Sequence, residues 1–204
     1  MSLTNYQIKD LAKRMGFNLE GCFFKDELPS KLKYNTAYII NLEDEFDENG
    51  EQNNGSHWTC FQLFKYPNDK VDGIYFDSYA KGPPKDVENA IINTINKKIP
   101  YTTKPIQGLM NNACGWYCCA FLHWINSSQY RSKDLFLDVS QFLEMFDDLE
   151  KVVDFKKNEF ILKHFFRSSD PLKRRPIDVE SISKDNTGNG PDIMKIPVLT
   201  KQKS

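Results

Sequence analysis

The chain has 204 residues, 40% hydrophobic and 27% charged, a balance typical of one soluble globular domain with a core of its own. Its 27 basic and 28 acidic side chains leave a net charge of −1, so overall charge gives no argument for binding nucleic acid or a membrane surface. No apolar run approaches the roughly 20 residues of a membrane span, and the odd cysteine count indicates a reducing compartment rather than a disulfide framework.

The first half of the chain predicts a helix followed by strands. The helix begins after Thr4, a suitable N-cap, and ends at Gly16. A β-branched and aromatic run at 35–42 predicts a strand, and an acidic loop rich in Asn and Gly follows it. Two alternating runs, 57–66 and 73–80, predict a hairpin whose turn lies between them.

The second half predicts helices. Residues 83–99 form an amphipathic pattern that begins with prolines, and further helices fit 138–150 and 158–167. Residues 114–126 are apolar nearly all round, which predicts a buried central helix. The resulting order of helix, strands and helices indicates the α+β class.

The chain divides into one domain and a tail. Residues 1–168 carry the predicted elements, whereas 169–204 are rich in Pro, Gly and charged residues with one short apolar patch. We expect the tail to be weakly ordered or laid over the domain as an arm.

The stretch MNNACGWYCCAF (110–121) holds three of the five cysteines. Cys114 follows a polar loop at the start of the apolar helix, where unpaired backbone N–H groups stabilise a thiolate. Gly115 leaves room for a substrate carbonyl, and the Cys114 N–H can face a developing oxyanion. Cys118 and Cys119 lie one turn further on among apolar neighbours, which predicts packing residues.

A zinc site built from Cys114, Cys118, Cys119 and His123 is the alternative interpretation. Structural zinc sites usually pair two ligands on a turn with a second pair elsewhere, and no second cluster exists in the sequence. The spacing therefore disfavours a metal.

A thiolate nucleophile needs a base and a group that orients it. His57 begins an apolar strand after a flexible lead-in, and Asp77 ends the partner strand of the hairpin, so antiparallel pairing can make them neighbours. Gln107, seven residues before Cys114, can donate to an oxyanion. Each residue alone fits an ordinary strand-end, turn or surface position, but the set in the order His, Asp, Gln, Cys favours catalysis.

Three segments resemble a known family. GSHWTCFQLF (55–64), YFDSYA (75–80) and IQGLMNNACGWYCCAFLHWIN (106–126) are similar to the catalytic segments of the adenain family of viral maturation proteases and its relatives in virophages. The resemblance covers roughly residues 4–168, and the wider clan includes the SUMO-specific cysteine proteases. It implies a papain-like α+β fold with a mixed or antiparallel sheet packed against helices, and a buried central helix that starts at the nucleophile.

The resemblance also implies roles. Cys114 would be the nucleophile, His57 the general base and Asp77 the group that orients the imidazole. Gln107 would form the oxyanion hole with the Cys114 N–H.

Further positions would support the substrate. Trp58 would wall the site or shield the ion pair, and Gly55 and Gly115 would support substrate binding. The implied function is a thiol endopeptidase that processes viral capsid precursors during particle maturation, at Gly-containing sites. We expect a monomer with no membrane association, located in the virion and the host-cell cytoplasm.

The sequence departs from adenain in two ways. Asp77 stands where adenain has a glutamate, as an aspartate does in the SUMO proteases. Adenain is activated by DNA and by a disulfide-linked peptide, but residues 96–107 contain no cysteine where the family's would be expected. We therefore expect no required cofactor, although a basic stretch at 156–175 could attract nucleic acid.

Two other functions stay open. One is a deconjugating protease that acts on ubiquitin or a ubiquitin-like protein. The other is a catalytically inactive member of the clan that serves as an interaction module.

Overall fold

The computed structural model describes residues 2–108, 111–127, 132, 134–149 and 152–169. Its elements, in chain order, are α1 (Asn5–Met15), β1 (Leu19–Phe24), β2 (Thr36–Asn41), β3 (Trp58–Lys65), β4 (Val71–Phe76), α2 (Lys85–Ile95), α3 (Cys114–Asn126), α4 (Leu135–Glu144) and α5 (Val152–Ser169). The α+β class is confirmed. None of the helices in these ranges is long and apolar enough to cross a membrane.

The strands form a mixed sheet in the order β1-β2-β3-β4. β1 and β2 are parallel, and the other two pairs are antiparallel. In the β3–β4 pair Cys60 lies opposite Phe76, so the residues just before β3 and just after β4 emerge at the same end of the sheet. The register therefore brings residues 57 and 77 together.

The helix α1 begins and ends where the sequence predicts. The Thr4 hydroxyl accepts from the Gln7 N–H and the Gln7 side chain accepts from the Thr4 N–H, a reciprocal capping box. Gly16 closes the helix in the left-handed conformation, with φ of 74°.

Strand β1 was not predicted from the sequence. Its Gly21 breaks the alternation, and the β1–β2 register shifts between Leu19 and Gly21. The strand forms because its backbone pairs with β2, an interaction between segments that local patterning does not report.

Other boundaries differ from the predicted ones. Strand β4 ends at Phe76, so Asp77 lies just after it rather than inside a strand that runs to residue 80. The helix predicted at 138–150 instead starts at Leu135, because the Asp134 carboxylate caps it by accepting from the N–H groups of Phe136 and Leu137.

Helix α3 is buried as predicted, over the predicted range. It packs against β3, α1, α4 and α5, which explains why nearly its whole circumference is apolar. The ring of Phe121 stacks on Phe76 at the end of β4, with 4.4 Å between centroids. The opposite face of the sheet is covered by α2 through Val87 and Ile91.

The predicted tail, 169–204, starts at the last residue of α5, and residues 170–204 lie outside the described residues. The proposed domain boundary at residue 168 therefore stays a prediction.

Phe142 lies among other aromatic rings in the core, so its substitution tests how much these ring contacts contribute to stability. Its side chain is 0% exposed, and its ring centroid lies 5.9 Å from Phe76, 5.4 Å from Phe121 and 5.3 Å from Phe146. We expect Phe142→Ala to lower the free energy of unfolding by about 3 to 5 kcal/mol in urea denaturation, through lost contacts and the cavity left behind. Phe136→Ala on the same helix, where the ring is 47% exposed, should change it by less than about 0.5 kcal/mol. Equal losses in the two variants would contradict this.

Candidate active site

The His57 and Asp77 side chains meet at one end of the β3–β4 hairpin. His57 Nε2 lies 2.7 Å from Asp77 Oδ1, and the two side chains are 11% and 0% exposed. Because an ionised carboxylate only accepts hydrogen bonds, Nε2 carries a proton. Nδ1 is then the ring nitrogen left for the third member of the site.

That third member is Cys114, the first residue of α3. Its thiol is hydrogen-bonded to His57 and receives backbone hydrogen bonds from Trp58 and Gly115. As the first helical residue, Cys114 has a backbone N–H without a partner inside the helix. The structure thus brings together the histidine, aspartate and cysteine that the sequence singles out, in the order carboxylate, imidazole, thiol.

The surroundings of His57 and Cys114 shift the pKa of each side chain in the direction that favours its charged form. Burial lowers the pKa of His57, but hydrogen bonds to Asp77 and Cys114 and the negative charges of both outweigh it and raise the pKa to about 9. Burial raises the pKa of Cys114, but the His57 hydrogen bond, the Trp58 N–H and the imidazolium charge hold it below its ordinary value. Both shifts act in favour of a thiolate–imidazolium pair.

The neighbouring cysteines have different surroundings. Cys118 and Cys119 are 0% exposed, and burial raises the pKa of both thiols far above the ordinary value. Cys118 Sγ donates to the Trp58 carbonyl at 3.3 Å, and His123 Nδ1 lies 2.8 Å from the Met15 carbonyl. Among the described residues no group of three or more His, Cys, Asp or Glu side chains is arranged to hold a metal ion.

Gln107 is buried, and the residues that follow Asp77 hold it in place. Its backbone N–H donates to the Ser78 carbonyl at 3.1 Å, and its Oε1 accepts from the Ser78 hydroxyl at 2.6 Å. Its Nε2 donates to the Tyr79 hydroxyl at 3.1 Å and to the Asn111 carbonyl. Both amide hydrogens are thus engaged, so donation to an oxyanion requires one of these bonds to be exchanged.

Trp58 joins the site to the N-terminal segment. Its indole Nε1 donates to the Leu3 carbonyl at 2.9 Å. A Cβ added at Gly115 would lie 3.2 Å from Leu3 Cβ and 3.3 Å from Trp58 Cδ1. Gly115 therefore allows Leu3 and Trp58 to pack closely against the first turn of α3, which explains a glycine there without any substrate.

Gly55 supports the strand entry that carries His57. It has φ of 82°, and a Cβ there would collide with the Asn41 amide. The Asn41 Oδ1 accepts from the N–H of Ser56 at 3.3 Å and from that of Glu43 at 3.1 Å. Gly55 thus lets Asn41 fix the backbone immediately before His57.

Sequence reasoning missed Ser78, Tyr79 and Asn111 as parts of the site. All three lie inside the quoted segments, next to predicted site residues, so proximity was the available signal. Their roles depend on contacts between loops that are distant in sequence, which no local pattern reports.

The arrangement is suited to acyl transfer. A thiolate at a helix N-terminus, a protonated imidazole and a buried carboxylate behind it provide a nucleophile, a proton donor and a group that stabilises the donor's charge.

Comparison with known proteins adds a similarity among solved structures. No family model and no curated protein matches the sequence. Among solved structures, the chain is similar to the Xanthomonas campestris effector protein XopD bound to ubiquitin, with 12% identity over 71% of this chain and 91% of that one and a TM-score of 0.37. A TM-score of this size carries no argument about function.

Asp77→Asn tests the ion pair without removing a side chain. Loss of the carboxylate charge leaves burial to lower the pKa of His57, so Cys114 should lose its charged partner. We expect alkylation of Cys114 by iodoacetamide at pH 6, followed by peptide mass mapping, to slow by more than about tenfold. The matched control is Asp69→Asn in the turn at the other end of the hairpin, which should alkylate at the wild-type rate. An unchanged rate in Asp77→Asn would contradict the assignment.

Gly55→Ala tests the strand entry. The new methyl group must displace the Asn41 amide, release the N–H groups that it holds and shift His57. Gly50→Ala is a close control, because Gly50 also has positive φ, 79°, but nothing lies within 4 Å of the added Cβ. We expect both to lower the free energy of unfolding by about 1 kcal/mol or more, but only Gly55→Ala to slow Cys114 alkylation at pH 6. Equal alkylation rates would contradict the proposed support.

Proposed function

We propose that the protein is a papain-like thiol endopeptidase of the adenain type. The observation that supports this most is the placement of His57 between the Asp77 carboxylate and the Cys114 thiol, with all three side chains largely buried. The three sequence segments that resemble the adenain family carry these same residues.

The proposed reaction begins with attack of the Cys114 thiolate on a peptide carbonyl carbon. The Cys114 N–H and one Gln107 N–H stabilise the oxyanion of the tetrahedral intermediate. His57 Nδ1–H then protonates the departing amine, which leaves a thioester on Cys114. Neutral His57 takes a proton from water as the water attacks the thioester carbonyl carbon. Collapse of this second tetrahedral intermediate breaks the C–S bond, releases the carboxylic acid product and restores the Cys114 thiolate and the His57 imidazolium.

A cavity of about 550 Å³ is a candidate for the substrate groove. It lies between the N-terminal residues 2–5, the end of β1 and the loop at 52–56, and Trp58 forms part of its wall. The cavity reaches the site only through Trp58, which also lies against the position of Gly115 next to the nucleophile.

The biological role that we propose is the processing of viral capsid precursors at Gly-containing sites, in the virion and the host-cell cytoplasm. It rests on the resemblance to the adenain family. We propose that the enzyme works as a monomer without a required cofactor, since residues 96–107 offer no cysteine for a linked peptide.

Cleavage of a peptide library, followed by mass spectrometry, tests this function. We expect cuts beside glycine, lost by more than about a thousandfold in Cys114→Ala because the nucleophile is absent. Asp69→Asn, whose side chain is 85% exposed in the turn at the far end of the hairpin, should retain the wild-type rate. A parallel reaction with added DNA reports whether nucleic acid activates the enzyme.

A second arm separates the substrate classes. Ubiquitin and a ubiquitin-like protein, each carrying a C-terminal electrophile, are incubated with wild type and with Cys114→Ala. Rapid labelling of Cys114 without peptide cleavage would replace precursor processing by deconjugation. The absence of both labelling and cleavage would contradict the peptidase proposal and favour the inactive interaction module.

A further inference from the structure

Tyr79 contacts three of the four residues of the proposed catalytic set. Its ring stacks on the His57 imidazole, with 4.5 Å between centroids and 25° between planes. Its backbone N–H donates to Asp77 Oδ1 at 2.8 Å, and its hydroxyl accepts from Gln107 Nε2 at 3.1 Å.

We propose that Tyr79 is the positioning residue of the proposed peptidase: its ring holds the His57 imidazole in line between Asp77 and Cys114 and stabilises the imidazolium. The inference rests on the proposed function, in which His57 exchanges protons with Cys114 and with the substrate.

The stack constrains the orientation of the imidazole. Nε2 is tied to Asp77, but one hydrogen bond alone leaves the ring free to swing about that bond. A second ring lying nearly parallel against one face removes that freedom and excludes water from that face. Nδ1 is thereby kept toward the Cys114 thiol.

The stack also favours the charged form of His57. The π face of a neutral phenol attracts a cation and has no such attraction for a neutral imidazole, so it stabilises the protonated state selectively. Burial, with the charges of Cys114 and Asp77, raises the pKa of the Tyr79 hydroxyl. Tyr79 therefore stays neutral and keeps this property throughout the working pH range.

The backbone N–H of Tyr79 contributes independently of the side chain. It donates to the same Asp77 oxygen that accepts from His57, so the carboxylate is fixed in the plane where it meets Nε2. Substitutions at residue 79 retain this bond, which isolates the effect of the ring.

The titratable groups that face His57 come from two parts of the fold. They are Asp77 and Tyr79 in the segment after β4 and Cys114 at the start of α3. Because Asp77 and Cys114 are unchanged in the Tyr79 variants, a change in the pH profile is attributed to the loss of the Tyr79 ring.

The experiment is the pH dependence of Cys114 alkylation by iodoacetamide in the full chain, with wild type, Tyr79→Leu, Tyr79→Met and Tyr79→Phe. Loss of the aromatic face should raise the pH at which the Cys114 thiolate forms by about half to one pH unit. Alkylation below that pH should then slow by about three- to tenfold. Tyr79→Phe keeps the ring and should remain within about twofold of wild type. Tyr6→Leu, which removes an 80% exposed tyrosine, is the control.

The outcomes separate the inference from the function on which it rests. If folded Tyr79→Leu or Tyr79→Met alkylates with the same pH dependence as wild type, the inference is overturned and the peptidase proposal stands. The same holds if Tyr79→Phe shifts the pH dependence as much as the leucine and methionine variants do. Absence of any low-pH alkylation of Cys114 in the wild type would overturn both. Circular dichroism identifies a variant that does not fold. If either the leucine or the methionine variant does not fold, the other is used for the comparison.

Discussion

The hydrogen bond between His57 and Asp77 is the interaction on which the rest of the site depends. The two side chains are 11% and 0% exposed, so neither charge has much access to solvent. A buried imidazolium without its carboxylate would give up its proton, and the thiolate would lose its counter-ion. The bond exists because the antiparallel register of β3 and β4 brings the residue before one strand beside the residue after the other. A register shift of one residue would turn the side chains of one strand to the other face relative to its partner and separate the two groups.

The core fixes the third member of the site. Helix α3 is apolar nearly all round, so it is stable only when surrounded, and the packing of Phe121 against Phe76 ties it to the end of β4 that precedes Asp77. The same packing sets the height at which the helix begins, and hence the position of Cys114. The nucleophile is thus located by hydrophobic burial and the base by strand pairing. Both constraints act at the same end of the sheet.

The sequence predicts those parts of the structure that local patterns determine. The capped helix α1, the strand β2 and the apolar helix α3 each carry their own signal in period, cap or composition. The pairing of His57 with Asp77 was predicted because a short hairpin permits only a few registers. Strand β1 was not, because Gly21 interrupts its pattern and its pairing with β2 is made between segments. The surroundings of Gln107 likewise required two loops that are distant in sequence to be placed together.

Gln107 shows what the resting arrangement leaves for the reaction to do. A primary amide has two N–H groups, and here both have acceptors, the Tyr79 hydroxyl and the Asn111 carbonyl. The backbone N–H of Cys114 has no partner inside α3 and is ready for an oxyanion. The proposed oxyanion hole is therefore only half preorganised, and its second donor must come from an exchange of acceptors. The Tyr79 hydroxyl is the acceptor more easily replaced by a developing negative charge, because a phenol oxygen is a weaker hydrogen-bond acceptor than an amide carbonyl such as that of Asn111.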